Sequence, residues 1–580
     1  MKQLAALLYL LSAMLFASTA LGESTPDIYT VHPELTSLQA AQEMGNGINL
    51  GNTMEAYGHT SVGTKAAPSV YSSLWGMPYT TREIIQGMKA CGFDSVRIPV
   101  AWTNTMDFER DDFTISRAWM DRVEEIVKWA LEADMYVVLN DHWDGGWIGM
   151  FGSASPEKQQ RAMNLYTSLW TQVGERFAPY GDHLIFEAAN EEFGNRFNDK
   201  DFAEDSGTLD EDACYAKITE LTQIFVNLIR SQGGNNAQRF LLIPGYNTDF
   251  TRTADERYRM PVDPADRLLI SVHYYSPDGF CLRGSVDSWG SAKDYASMSA
   301  DMGKMVKFTE QGYGVVIGEY GVLEQKRGGE LRNDTLRYLS TFLDYCDLYG
   351  YAPMLWDCNS LYLRTKQTMF NDEVAAFFAE RSNAARAGLT DLELRNAAAQ
   401  AIGAAEATAD EPAGARDDQA IAWLMFNSSD WNATYSVGDT YDPSSRTAGI
   451  VAADVEVTGP GVYTVGLDFT GYRGGYVVGT VFCALGMSNG EQLFPGCIMD
   501  VKEIRINGEP YRYKGRAYTS SDDRKCTRVN LYNSWVPKAP SDGRIKGGNL
   551  TGAMPVLLNN DDAPMKHIES MYVTFELIVP

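Results

Sequence analysis

Cations are what this chain most lacks. Its 580 residues hold 49 Lys and Arg against 76 Asp and Glu, a formal charge of −27. Nucleic acids and anionic membranes are bound through clustered Lys and Arg that displace counterions. Neither is therefore expected as a partner, and an uncharged ligand fits better. The eight cysteines, at 91, 214, 281, 346, 358, 483, 497 and 526, show no CxxC or other metal spacing, which argues against a zinc site. Some can pair after export, but spacing assigns no partners. Beyond residue 16 no segment is apolar enough to cross a membrane. Aromatics make up 12% of the chain, with 12 Trp; flat rings cover sugar faces, but core packing is their commoner use.

The amino terminus has Lys2, an apolar run from Leu4 to Phe16, and small residues Ala17, Ser18, Thr19, Ala20 and Gly22. This is the layout of a cleavable secretion signal over residues 1–22. A membrane anchor would need about 20 apolar residues, more than this run supplies. No cysteine follows the run to accept a lipid. The expected product is an extracellular protein with no membrane attachment after cleavage, acting as a monomer.

From about residue 38 to 378, short apolar runs alternate with amphipathic stretches, the pattern of a parallel sheet wrapped by helices. Eight strands are predicted, over 47–51, 95–100, 136–140, 184–188, 240–244, 268–273, 314–318 and 352–356. Eight parallel strands close a (β/α)8 TIM barrel, here bounded at 30–382. Trp119, Val123, Ile126, Val127, Ala130 and Leu131 form one apolar stripe, and Ile218, Leu221, Ile224, Phe225, Leu228 and Ile229 another. Thr80 and Glu83 have capping-box spacing. Residues 383–418 are Ala-rich and read as a linker, helical at its start. The 419–580 region alternates strands and turns, with an Asn507-Gly508 hairpin signal and a final strand placing Val573, Phe575, Leu577 and Val579 on one face. It is expected to be an all-β sandwich of jelly-roll type. Its tethering behind the barrel suggests a carbohydrate-binding module, with Trp423, Trp431, Tyr435, Tyr476 and Trp535 as candidate contacts.

In a (β/α)8 barrel the βα loops at the carboxyl ends of the strands converge on the axis and carry the chemistry. To that rim the predicted strands bring Arg97, His142, Asn190 and Glu191, His273 and Tyr275, Glu319, and Trp356. Two acids on strands four and seven suit glycoside cleavage, in which one protonates the leaving oxygen and the other meets the anomeric carbon. Arg97 and Tyr275 are expected to keep Glu319 ionised, and a more enclosed Glu191 to hold its proton by desolvation. Glu187 is expected to pair with Arg97 inside the barrel. Read blandly, the two acids are members of ion-pair networks. His142 with Asp141 and Asp144 resembles a metal site only loosely, because no second His lies at helical spacing. Trp75, Trp102, Trp143, Trp147 and Trp170 are expected to pack, although Trp143 and Trp147 follow strand three and favour the cleft.

The segments GINLGNTMEAYG, SVRIPVAW, VVLNDHWDGGW, FEAANEEFG, VHYYSP, VVIGEYG and MLWD, in this order and spacing, resemble glycoside hydrolase family 5 over residues 38–380. Within it they are most similar to the bacterial endoglucanase, xyloglucanase and lichenase branch. The resemblance implies Glu191 as acid/base, Glu319 as nucleophile, and Asn190 as donor to a sugar 2-hydroxyl. It implies Arg97, His142, His273 and Tyr275 as the surrounding network and Trp356 as the floor of a sugar subsite; Asn49 and Trp143 complete the expected substrate-binding set. Two positions depart from the branch: Trp143 stands where it usually has a second His, and Glu192 where it has Pro. Glu192 is expected to point away from Glu191. The implied activity is a secreted retaining endo-β-1,4-glucanase acting on cellulose, xyloglucan or mixed-linkage glucan, with no metal or cofactor. A β-mannanase of the same chemistry and a catalytically silent glycan-binding protein are the alternatives.

Overall fold

The computed structural model describes residues 27–284, 286, 288–323, 331–409, 418–521 and 526–580. The secretion signal expected at 1–22 lies outside them, as do residues 410–417 of the expected linker. Among the described residues no helix is long and apolar enough to cross a membrane.

Eight strands, β1 (Gly47–Asn49), β2 (Ser95–Ile98), β3 (Tyr136–Asn140), β4 (Leu184–Glu187), β5 (Leu241–Pro244), β6 (Leu268–Tyr274), β7 (Gly314–Tyr320) and β8 (Ala352–Leu355), close a barrel in sequence order. Every residue of these strands is buried, as expected where side chains fill the inside and helices cover the outside. The covering helices include Arg117–Glu132 and Glu211–Ser231. In the first, all six stripe residues from Trp119 to Leu131 are buried. Each large one contributes about 1.5–3 kcal/mol on removal from water. In the second, Ile224 and Leu228 stay half-buried and Cys214, Tyr215 and Val226 take the inner face with the rest. The helix after β5 shrinks to Phe250–Thr253.

The predicted capping box at Thr80 is absent. The helix begins at Arg82 with Thr81 as N-cap and no side-chain cap bond; Thr80 lies one residue too early and is buried, its carbonyl accepting from Arg122 Nη2.

The amino end of the barrel is closed by the helix Ser37–Glu43, whose Ala40 and Ala41 join Met44, Val138, Ile185, Leu242, Leu269, Val316 and Met354 in one apolar cluster. Small residues let this helix lie close to β7. A Cβ on Gly314 would run into the Ser37 carbonyl oxygen and come within 2.9 Å of the Ala41 Cβ.

After β8, a small hairpin of β9 (Tyr362–Leu363) and β10 (Thr368–Met369) precedes the helix Asp372–Ala379. The early part of the Ala-rich stretch is helical, as expected. Residues Asp391–Ala407 form one helix started by a Thr390–Glu393 capping box. It is fastened to the helix Thr335–Tyr349 by Arg395 donating to the Leu348 carbonyl (3.2 Å) and Tyr345 donating to Glu406 (3.1 Å).

The carboxy-terminal region is a sandwich of two five-stranded antiparallel sheets. One holds β11 (Ile421–Ser428), β12 (Thr434–Tyr435), β14 (Val455–Glu456), β16 (Thr480–Ser488) and β19 (Cys526–Asn533). The other holds β13 (Val451–Ala453), β15 (Gly461–Asp468), β17 (Ile498–Ile506), β18 (Glu509–Pro510) and β20 (Ser570–Ile578). Met425, Leu485, Val529 and Leu531 from the first share a core with Val465, Leu467, Ile504, Val573, Phe575 and Leu577 from the second. Asn507 and Gly508 make the two-residue turn between β17 and β18, with φ of 54° and 80°. Of the candidate aromatics, Trp423 and Tyr435 are core residues, whereas Trp431, Tyr476 and Trp535 are exposed. All eight cysteines are thiols.

Gly314→Ala is expected to lower stability by about 1–3 kcal/mol through forced repacking of the barrel floor. Chemical denaturation measures it; an unchanged midpoint would mean the closing helix yields freely.

Candidate active site

A layer of polar side chains crosses the barrel interior above the apolar cluster. Arg97 is fully buried. Its Nε donates to Glu187 Oε2 (2.7 Å), Nη1 to Asn49 Oδ1 (3.0 Å) and Nη2 to Asn190 Oδ1 (2.7 Å). Glu187 also accepts from Ser271 Oγ (2.7 Å). The expected Arg97–Glu187 pair is thus present; with both members at 0% exposure, removing either alone costs about 3–5 kcal/mol.

Guanidinium nitrogens only donate, so this contact assigns both amides. Asn49 must present its oxygen to Arg97, and its Nδ2 then donates to the carbonyls of Gly318 (2.9 Å), Met354 (3.2 Å) and Leu355 (3.3 Å). Asn49, expected among the substrate-binding residues, is instead a fully buried strut whose amide is spent on backbone. Asn190 likewise gives its oxygen to Arg97, which leaves its Nδ2 hydrogens outside this pair.

Glu191 follows Asn190 on the loop after β4 and is half-buried. Its carbonyl accepts from Asn247 Nδ2 (2.7 Å), while Asn247 Oδ1 accepts from the Asn195 amide (3.0 Å). Asn247 holds the left-handed backbone (φ 46°) that Asn tolerates. It was missed by sequence reasoning, and its place just past β5 was the available signal. Glu319, on β7, is buried and accepts from the Tyr275 hydroxyl at 3.1 Å, with His273 Nδ1 3.6 Å away. Carboxylate oxygens of Glu191 and Glu319 and a ring nitrogen of His273 lie within 4.8 Å of one another. The expectation that Glu191 is the more enclosed acid is not met; Glu319 is. The Tyr275 hydroxyl that donates to Glu319 favours the charged carboxylate as acceptor.

His142 and Trp356 stack with centroids 5.6 Å apart and planes 9° apart, forming one wall. The His142 amide donates to the Val100 carbonyl (2.9 Å). Trp143, half-buried, meets Tyr57 edge-on at 5.5 Å. A Cβ on Gly145 would enter the Tyr57 ring, so this glycine keeps the two aromatics together; Tyr57 is a second residue the sequence did not disclose. Trp102, Trp147 and Trp170 are buried packing residues, and Trp75 is exposed.

Glu192 does not reach solvent. It is buried behind the rim, its Oε1 3.8 Å from Arg196 Nη1. It faces a carboxyl cluster: burial first, then the charges of Asp144 and Glu192, push the Asp141 carboxyl well above the ordinary range. Asp144 is also raised by burial, although the Thr103 amide and hydroxyl donate to it.

The loop after β1 is held by another buried acid. Glu55 accepts from the amides of Asn52 and Thr53, and fully buried Arg364 donates to Thr53 Oγ1 (2.7 Å) and to the carbonyls of Gly51 and Asp357 (2.8 Å each). Burial raises Glu55 from 4.5 to about 7, the amide donors and Arg364 offsetting only part. Because the folded value lies above the unfolded one, its stabilising effect is complete below about 4.5 and is lost as pH rises through about 7. The stability of Glu55→Gln relative to the parent should therefore rise by about 2–3 kcal/mol from pH ~5 to ~8. Thermal unfolding at both values checks this, and a pH-independent difference would contradict it.

Comparison with known proteins agrees with this geometry. Residues 54–361 match the cellulase family, glycosyl hydrolase family 5. An endoglucanase A of Paenibacillus barcinonensis is 32% identical over 374 residues, covering 60% of this chain and 88% of the relative. A xyloglucan-specific endo-β-1,4-glucanase of Bacteroides ovatus is 32% identical over 343 residues, covering 56% and 65%. Among solved structures, a broad-specificity endoglucanase from an uncultured bovine rumen ciliate aligns with a TM-score of 0.51 at 30% identity, over 60% of this chain and 98% of that one. A lichenase from Caldicellulosiruptor sp. F32, solved as a mutant with cellotetraose, gives 0.52 at 30%, over 62% and 99%. An eight-stranded barrel with two acids facing across its rim, within a match that spans over half the sequence, shows that this chain belongs to glycoside hydrolase family 5.

Proposed function

We propose that the barrel is a retaining endo-β-1,4-glucanase working by double displacement. The approach of Glu191 and Glu319 to within 4.8 Å carries this reading. Retaining glycosidases hold their acids about 5–5.5 Å apart, whereas inverting ones leave about 6.5–9.5 Å for a water. In the first step Glu319 attacks the anomeric carbon while Glu191 gives its proton to the departing glycosidic oxygen. In the second, Glu191 takes a proton from water, the resulting hydroxyl attacks the same carbon, and Glu319 leaves as carboxylate. Both acids end as they began, and two inversions retain the configuration. With its oxygen taken by Arg97, Asn190 has Nδ2 hydrogens to donate to the 2-hydroxyl, Tyr275 and His273 flank Glu319, and Trp356 offers its face to a sugar ring.

The names of the relatives support a β-1,4-glucan backbone, spanning endoglucanase, xyloglucan-specific glucanase and lichenase. Tyr57 and Trp143 beside the rim add aromatic surface where a decorated chain would pass. A β-mannanase shares the acid pair and differs in how the 2-hydroxyl is read. Export to where such polymers occur is supported by Lys2 and the apolar run to Phe16.

Glu319→Ala should abolish turnover of β-glucan, with added azide restoring cleavage of an activated aryl cellobioside. Glu191→Ala should lower kcat on polysaccharide by about 10²–10⁴ while sparing the first step on a substrate with a good leaving group. Two carboxylates and an imidazole so close can also hold a divalent ion, so the discriminating control is EDTA, in which full activity is expected. Viscosity of xyloglucan and barley glucan should fall faster than reducing ends appear. Greater activity on mannan than on any glucan would replace the glucanase reading.

A further inference from the structure

Three described tryptophans are more than a third exposed, and two of them stand side by side on the sandwich. Trp431 is 46% and Trp535 61% exposed; their ring centroids are 5.9 Å apart and their planes inclined by 52°. Strand register brings them together. Ser428 of β11 pairs with Thr480 of β16, and Phe482 of β16 with Asn533 of β19. The β11–β12 turn with Trp431, the approach to β16 with exposed Val478, and the exit from β19 with Trp535 therefore share one end of the sheet.

Both rings are mounted on fastened backbone. The Trp431 amide donates to the Ser428 carbonyl (3.0 Å), and Ser428 Oγ accepts from the Ala433 amide (2.9 Å). The Asn432 amide donates to Asp430 Oδ1 (3.2 Å), and the Ser429 hydroxyl to the Val478 carbonyl. On the other side the Trp535 amide donates to Asn533 Oδ1 (3.0 Å). Trp431 has φ of 61°, a left-handed conformation unfavourable for so bulky a side chain and suited to Gly or Asn. Keeping Trp there costs stability twice, through backbone strain and through exposed apolar area. Such expense at an exposed position points to binding.

We propose that Trp431 and Trp535 form a glycan-binding site, separate from the catalytic cleft, for a single β-1,4-glucan chain. Rigid indole rings offer large contact area at little entropic cost. Two of them at this spacing cover the apolar faces of neighbouring sugars. Beyond their bonds within the turn, Ser429 keeps an acceptor oxygen and Asn432 a second Nδ2 hydrogen for a neutral polyol, in a chain whose charge of −27 repels anions. The 52° inclination fits a twisted free chain and not the flat face of a crystal, for which coplanar rings are needed. The choice of glucan rests on the function proposed for the barrel; the site itself does not.

Calorimetry on the full chain carrying Glu319→Gln, titrated with cellohexaose, should show two binding events. The same chain with Trp431→Gly and Trp535→Ala should show one, and each single variant should weaken the second event about tenfold or more. Trp431→Gly also relieves the left-handed backbone, so an undiminished Tm separates lost binding from misfolding. In the active enzyme the Trp pair should leave kcat on a short aryl cello-oligosaccharide unchanged. An equal number of sites with and without the pair overturns the proposal. Retention on microcrystalline cellulose that depends on the pair, without binding of soluble chains, overturns the single-chain reading. Trp-dependent binding in an enzyme that cleaves no β-1,4-glucan would sink the barrel's assignment and leave the site standing.

Discussion

A charge sealed inside the barrel organises this active site. Arg97 has no exposed surface, and its donors-only chemistry dictates which way each neighbouring amide turns. Through Asn190 it orients the residue next to Glu191. Through Asn49 it reaches the carbonyl of Gly318, the residue before Glu319. One cation thereby reaches the neighbour of each of the two acids, and Glu187 neutralises it where both groups are sealed from solvent. The arrangement is stiff because an unmade hydrogen bond in that interior is expensive. Stiffness of this kind keeps two acids at the separation that decides the stereochemical course.

Around this fixed centre stand the two positions at which the resemblance implies other residues. Trp143, where the branch is expected to have a second His, meets Tyr57 edge-on across Gly145, which has no Cβ to obstruct the ring. Glu192, where it is expected to have Pro, is buried with its Oε1 3.8 Å from Arg196 Nη1, and its charge acts on the buried Asp141. Both lie on loops that follow barrel strands, β3 and β4, where a (β/α)8 barrel can vary without altering its scaffold.

The sandwich makes its own use of aromatic residues. Trp423 and Tyr435 fill its core, while Trp431 and Trp535 project from one end of a sheet. Residue type is the same in both places. What differs is whether a strand or a turn carries the ring.

Periodicity along the chain was enough to determine the barrel. Eight buried strands read as apolar runs because both faces are covered, and their order needs no long-range information once the connections are right-handed. The motifs also placed Glu191, Glu319, His273 and Tyr275 at one rim, since strand ends converge by topology. Tertiary structure alone decided the rest. It made Asn49 a strut, gave Glu319 more cover than Glu191, buried Glu192 beside Arg196, and started a helix at Arg82 with Thr81 rather than Thr80 as its N-cap. It also recruited Asn247 and Tyr57, and separated the exposed tryptophans from the buried ones. The physical reason is common to all of these: covalent order sets which backbone pattern is available, but a side chain's cover and partners come from segments far along the chain.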